Sequence, residues 1–405
     1  MNERESHRAM LEAALGDAPP YPAERFAGRG IVLCAGGDVY FPCAWVCIGM
    51  LRRLGCTLPV ELWYRGPREM TPAMIALLEP LGVTCVDAYD VARRQPYRRL
   101  DSWEIKPFAI AWSRFAEVLY LDADNVPLRD PAPLFDLPAY RERGALFWPD
   151  RYAGPGTGIE WLKREAWDAC GLPYRVAPEI EAGQLVIDKQ KSWRGLSMTQ
   201  HLNEHSDYYY AFFLGDKDTF HLSWLRTATP YALMPWRPRT LGQSEVIVQH
   251  DAAGAPLFQH RNGGKWSLVH PNRRVPGFEL EDVCLQLLDE LRDRWTPPAR
   301  VFPADFTPTE SRCYEELCAA RHFEYAIDGG GAKTIELCPD FRIGDGAATM
   351  EAAWMIEDDK DGQPLLSIRN ANAPTCFLRR DGGVWRGRWL VYHRNRVSLR
   401  PAGRA

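Results

Sequence analysis

An alternation near the amino end narrows the possible folds sharply. From Gly30, apolar runs of strand length take turns with segments of helical period: "GIVLCAGG", "PCAWVCIGMLRRLG", "LPVELWYRG", "TPAMIALLEPLG" and "VTCVDAYD". The short apolar runs suit strands buried on both faces, and the periodic segments suit helices, one closed by Gly55 and one opened by Thr71 with Pro72 behind it. Parallel strands need a crossover between them, so strand, helix, strand, helix implies a parallel sheet wrapped by helices. The expectation from this region is an α/β fold with a parallel sheet flanked by helices. No Gly-x-Gly-x-x-Gly run or Walker-type loop appears, which removes support for a nicotinamide cofactor or a P-loop.

The next helix, in "DSWEIKPFAIAWSRF", leads into "EVLYLDADNVPL", where an apolar strand ends in Asp122 and Asp124. Period-two alternation places both carboxylates on one side if the strand persists, so like charges converge where ligands collect in open sheets. A shared cation would relieve the repulsion, and oxygen ligands favour Mg²⁺ or Mn²⁺ over zinc. The ordinary alternative is a turn in which the carboxylates bond backbone N–H groups.

Three further stretches carry polar chemistry. In "FQHRNGGKW", His260 precedes Gly263 and Gly264, which permit close backbone approach, and Lys265, a natural phosphate partner. A divalent metal on Asp122, Asp124 and His260 would bridge the phosphates of a nucleotide diphosphate, with Lys265 neutralising the remaining charge. In "EAGQLVIDK", beginning at Glu181, Gly183 would let backbone approach a sugar and Gln184 would bond a hydroxyl. In "LGDKDTF", Asp216, Lys217 and Asp218 open a helix, and capping explains only one of the two aspartates.

Composition bounds the rest. With 405 residues, 46% hydrophobic and 25% charged, the chain suits two or three domains. Its 49 basic and 53 acidic side chains, a net charge of -4, carry no global signature of nucleic-acid binding. No apolar run reaches membrane-spanning length and the start is charged, so the expected location is the cytoplasm. The 11 cysteines are scattered singly, as reduced core thiols are; Cys43 and Cys47 lie one helical turn apart without a second ligand pair for zinc. Residues 1–28 form a polar extension and 29–300 the α/β domain. The proline-rich "TPPARVFPADFTPTE" then links to 301–405, a small antiparallel β domain of short strands between "DGG"-type turns, expected to fold separately. Its Trp354, Trp385 and Trp389 fit a β core better than a sugar platform.

The Asp-x-Asp after "EIKPFAIAWSRF", then "EAGQ", "GDKDTF" and "HRNGGKW", in that order over about residues 30–270, resembles the fungal Golgi α-mannosyltransferases that branch cell-wall mannan. More distantly it is similar to the glycogenin-like retaining glycosyltransferases. The resemblance implies a GT-A fold and transfer of a hexose, mannose from GDP-mannose before a UDP-sugar, to a glycan, lipid, peptide or small-molecule hydroxyl with retention. It implies metal ligation by Asp122, Asp124 and His260, Mn²⁺ or Mg²⁺ as the ion, and diphosphate contact by Lys265 beside Gly263 and Gly264. It also implies donor contact by Lys106 and sugar or acceptor contacts by Glu181, Gln184 and Asp216, next to Lys217 and Asp218. A nucleotidyltransferase would also pair aspartates with a metal, but "CAGGDVY" lacks the basic Gly-rich loop of that class. A non-catalytic carbohydrate-binding protein would need neither the aspartates nor His260.

Overall fold

The computed structural model describes residues 2–151, 162–176, 178–213, 215–243, 245–297, 305–370, 374–390 and 395–402. The chain forms two compact units, one of 1–204 with 216–297 and one of 205–215 with 298–405.

In the first unit the strands are β1 (Arg29–Cys34), β2 (Val60–Tyr64), β3 (Val83–Asp87), β4 (Glu117–Leu121), β5 (Asn125–Pro127), β6 (Ala145–Pro149), β7 (Ile180–Asp188), β8 (Ala232–Leu233), β9 (Arg239–Leu241), β10 (Val246–His250) and β11 (Pro256–His260). A seven-stranded sheet has the order β3-β2-β1-β4-β7-β6-β8. The strands of the alternating region, β1 to β4, are mutually parallel, and β7 runs antiparallel to β4 and β6, which makes the sheet mixed. Successive side chains alternate between faces. Ile31, Leu33, Leu119 and Leu121 join the core beneath helix Gly37–Arg53, whereas Val32, Val118 and Tyr120 join the core beneath helix Ile105–Trp112. Apolar runs without alternation thus reflect a sheet covered on both sides. This is the helix-flanked mixed sheet expected of a GT-A, Rossmann-like architecture.

A second, four-stranded antiparallel sheet, β5-β11-β10-β9, begins right after the aspartates. Its existence corrects one expectation. β4 stops at Leu121, and Asp122 to Asp124 form a turn in which the Asn125 N–H donates to the Asp122 carbonyl at 3.0 Å, so strand alternation does not orient the two carboxylates. The chain must leave the large sheet there because Asn125 pairs with His260.

The first 28 residues belong to the first unit. A capping box of Asn2 and Glu5 starts helix Glu3–Gly16, Leu11 is fully buried, and the Trp193 indole donates to the Pro19 carbonyl at 3.0 Å. Among the described residues no helix is long and apolar enough to cross a membrane.

In the second unit, helix Pro308–Ala320 starts from a Thr307–Glu310 capping box and seven antiparallel strands follow between His322 and Pro401. Trp354 and Trp385 are buried in its core, and the Trp389 indole donates to Tyr325 Oη at 2.8 Å. The segment 205–215 shares this unit, and its Tyr208, Tyr209, Tyr210 and Phe213 are buried. A chain ending at residue 297 removes the body with which this aromatic segment is compact, so aggregation and loss of a cooperative melt are expected. Size exclusion and calorimetry check this; a monomer with one sharp transition would count against it.

Candidate active site

Asp122 stands at the carboxyl edge of the large sheet, held on three sides. Tyr120 Oη donates to its Oδ1 at 2.9 Å, Lys106 Nζ lies 3.1 Å from the same oxygen, and His260 Nε2 lies 3.8 Å from Oδ2. Lys106 also reaches Asp216 Oδ2 at 2.9 Å, donates to the Ala182 carbonyl at 3.1 Å and stands over the Tyr120 ring. Burial would lower its pKa, but Asp122 and Asp216 outweigh burial and hold it well above the ordinary lysine value. Lys106 therefore acts through two carboxylates. Asp216, expected at the sugar, is buried against Lys106, and burial keeps its carboxyl above the usual range.

Asp124 is not in an open crevice: only 3% of it is exposed. Lys265 makes a close ion pair with its Oδ2 and His260 Nε2 lies 3.3 Å from Oδ1. Burial would raise this carboxyl, yet Lys265 and His260 together push it below the usual range. His260 is drawn the other way: burial lowers it, while Asp124 and Glu181 raise it to about 10. The Lys265 side chain is 28% exposed and lies 5.3 Å from the Tyr40 ring centre, so it is the lysine of the site that solvent reaches.

The loop after His260 is built by Arg261, which sequence reasoning passed over. Fully buried, it stacks 3.9 Å from the Trp266 ring, pairs with Glu281 at 3.1 Å and donates to the Gly264 and Arg273 carbonyls. Gly263 donates its N–H to the Glu245 carbonyl at 2.9 Å, and Gly264 takes φ +58°, a left-handed turn. The glycines shape the loop that delivers Lys265.

At the start of β7, Gly183 makes room for an imidazole, not for a sugar: an added Cβ would lie 2.5 Å from His260 Nδ1 and 2.8 Å from Glu181 Oε2. Glu181 accepts from the Gly183 N–H at 2.9 Å and from Gln184 Nε2 at 2.8 Å, and lies 3.3 Å from His260 Nδ1. Gln184 is fully buried and its carbonyl accepts from Asn125 Nδ2 at 2.9 Å. Its amide is engaged at both ends, so it positions Glu181.

Lys217 and Asp218 belong to a second cluster. Lys217 Nζ lies 2.6 Å from Asp150, 3.3 Å from Glu179 and 3.3 Å from Asp218. Burial is the main cause that lifts the Asp218 carboxyl to about 6. Asp150 and Glu179 were not anticipated, although Asp150 follows the apolar run "ALFWP" just as Asp122 follows "EVLYL".

Asp122, Glu181 and His260 each offer a ligand atom within 4.8 Å of the others, and Asp124 adjoins the same imidazole. The carboxylate oxygens, which outnumber the single imidazole, suit Mn²⁺ or Mg²⁺. Four carboxylates, Asp122, Asp124, Glu181 and Asp216, face two lysines, Lys106 and Lys265, and the His260 imidazolium, a net negative charge; a divalent cation that displaced the imidazole proton would meet two negative charges and balance them. The residues present therefore fit the ion.

Fold and site together define a mixed-sheet α/β protein that gathers carboxylates, an imidazole and a partly exposed lysine at its strand ends. The chain belongs to the family described as "Mannosyltransferase putative", which matches residues 28–157 and 174–260. An alpha-1,2-mannosyltransferase of Candida albicans, MNN22, is 27% identical over 65% of this chain and 51% of its own length. The alpha-1,2-mannosyltransferase MNN2 of Saccharomyces cerevisiae is 26% identical over 59% of this chain and 46% of its own. The chain spans about half the length of these relatives. Similar solved structures include the galactosyltransferase LgtC with donor and acceptor sugar analogs, at 15% identity, TM-score 0.39, covering 65% of this chain and 100% of that one. The mannosyltransferase Ktr4p of S. cerevisiae in complex with GDP is 12% identical, TM-score 0.34, covering 57% and 77%.

Proposed function

We propose that this chain transfers mannose from GDP-mannose to a hydroxyl of a glycan acceptor, dependent on Mn²⁺ or Mg²⁺ and with retention of configuration. The observation that carries the reading is the cluster of Asp122, Asp124, Glu181 and His260 with Lys265 at the carboxyl edge of the sheet. The names of the relatives favour mannose over other hexoses. Asp122, Asp124 and His260 would hold the metal, with Glu181 as a further donor; when bound, the ion supplies charge stabilisation to the leaving diphosphate.

The chain's own residues do the remainder. Lys265, the lysine of the site that solvent reaches in part, binds the diphosphate and stabilises the negative charge that grows as the bond from C1 to phosphate oxygen breaks. Lys106 bridges Asp122 and Asp216 and fixes where both carboxyl groups stand. The acceptor oxygen bonds C1 on the face the phosphate leaves, and its proton passes to the phosphate oxygen, so no separate base is needed. Gln184 and Gly183 set the position of Glu181 and the imidazole.

A panel of GDP- and UDP-sugars incubated with Mn²⁺ and a mannoside, followed by proton NMR, tests this. GDP-mannose should be turned over, EDTA should stop turnover, and the new anomeric centre should keep the donor's configuration. Preference for a UDP-sugar would sink the donor assignment, and an inverted product the stereochemical one.

A further inference from the structure

Among the described residues Trp236 is the one tryptophan that stands exposed, at 47%. It follows β8 by three residues. β8 runs parallel to β6, and β7 lies antiparallel between β6 and β4, so the chain leaves β8 at the same sheet edge as Asp122 and Asp150. Three strand spacings separate β4 from β8, placing the start of this loop roughly 14 Å along the edge from Asp122.

The ring is held still. Its N–H donates to the Ala252 carbonyl at 3.1 Å, and it lies against Gly254, where an added Cβ would come within 2.8 Å of Cε2. Gly254 has φ +88°, so glycine is favoured there twice over, by conformation and by space. Pro235 and Pro238 flank the loop and fix its backbone on both sides. A side chain ordered in advance loses little freedom when something stacks on it. Arg237 and Arg239, one and three positions further along the chain, are exposed too, and their guanidinium groups are donors only.

An exposed indole with exposed guanidinium donors on the same loop suits a pyranose, which presents an apolar C–H face rimmed by hydroxyls that accept. One aromatic residue is too small a patch for a protein partner, whose interface would bury roughly 1,200 Å² or more. We propose that Trp236 is a distal acceptor subsite that stacks one hexose of the glycan several units away from the hydroxyl being mannosylated. This deepens the mannosyl-transfer reading and rests on it for the identity of the glycan.

Two measurements with α-linked mannotetraose and mannobiose test it. In donor-free saturation-transfer NMR, wild type and Trp236→Phe should bind mannotetraose and Trp236→Ala should not. In initial-rate assays Trp236→Ala should raise KM for mannotetraose roughly tenfold. Its kcat, its KM for mannobiose and its donor hydrolysis should stay unchanged, because the residue touches neither donor nor metal ligand. Equal binding of mannotetraose by wild type and Trp236→Ala, or binding by neither, overturns the subsite. Binding that depends on Trp236 in a protein that turns over no GDP-mannose upholds the subsite and sinks the proposed reaction.

Discussion

Asp124→Ala should lower mannosyl transfer by at least ~100-fold, the scale on which support of a metal centre is lost even when outer partners are removed. It should also destabilise the fold by about 3 kcal/mol, because Lys265 and His260 would be left beside one another at a buried position without the carboxylate they share. The second effect follows from burial: on an open ledge the loss would be confined to activity. The two effects can be separated. Adding Lys265→Met to Asp124→Ala removes one of the two stranded cations, so the melting temperature should recover in part while transfer stays lost. Assays over a Mn²⁺ titration together with thermal melts read both. Wild-type turnover by Asp124→Ala would remove the residue from the site.

Lys217→Met should be chiefly a stability variant. One ammonium pairs with Asp150, Glu179 and Asp218, and without it three buried carboxyl groups face each other with that counter-ion gone, at a cost of about 3–5 kcal/mol or roughly 10 °C in Tm at neutral pH. The pH dependence has a definite sign. Burial holds Asp218 in the folded protein at about 6, above its unfolded value of 3.8, so its contribution to stability is full below pH 3.8 and is lost as pH rises through 6. Removing Lys217 takes away the attraction that keeps this carboxyl from rising further. The variant should therefore come closest to wild type near pH 4–5 and fall away as pH increases. A constant difference in Tm from pH 4 to 8 would mean the lysine contributes packing and not charge.

Much of this architecture is readable from local patterns. The unbroken apolar runs within β1 and β4, "GIVLC" and "VLYL", signal a sheet covered on both faces, and the carboxylates after "EVLYL" mark the ligand edge, since no core strand ends in two charges without a reason. What stays hidden is non-local. Extending the period of β4 through Asp124 fails because the chain turns to pair Asn125 with His260, a partner no local pattern names. Gln184 looks like a sugar contact until Asn125 is seen to hold its carbonyl, and Gly183 looks like a sugar approach until His260 fills the space beside it. Lys217 looks catalytic because its neighbours are charged, while two of its three counter-ions are 67 and 38 residues away. Asp150 could have been found by the rule that found Asp122: a carboxylate directly after an apolar run of strand length.

The pairing of β5 with β11 has a consequence for the order in which a nascent chain becomes competent. Lys106 leaves the ribosome before Asp122, so that carboxylate meets its counter-ion as soon as β4 joins the growing sheet. Asp124 must wait for His260, which is 136 positions later, 260 less 124, and then for Lys265. At about 5–20 residues per second the delay is on the order of ten seconds. Throughout it β5 lacks the strand it pairs with, and the donor site exists only in part. On the proposed function, an unfinished chain would be silent toward nucleotide sugar, and competence would arrive as a late event of synthesis, when β11 closes the gap that β5 has left.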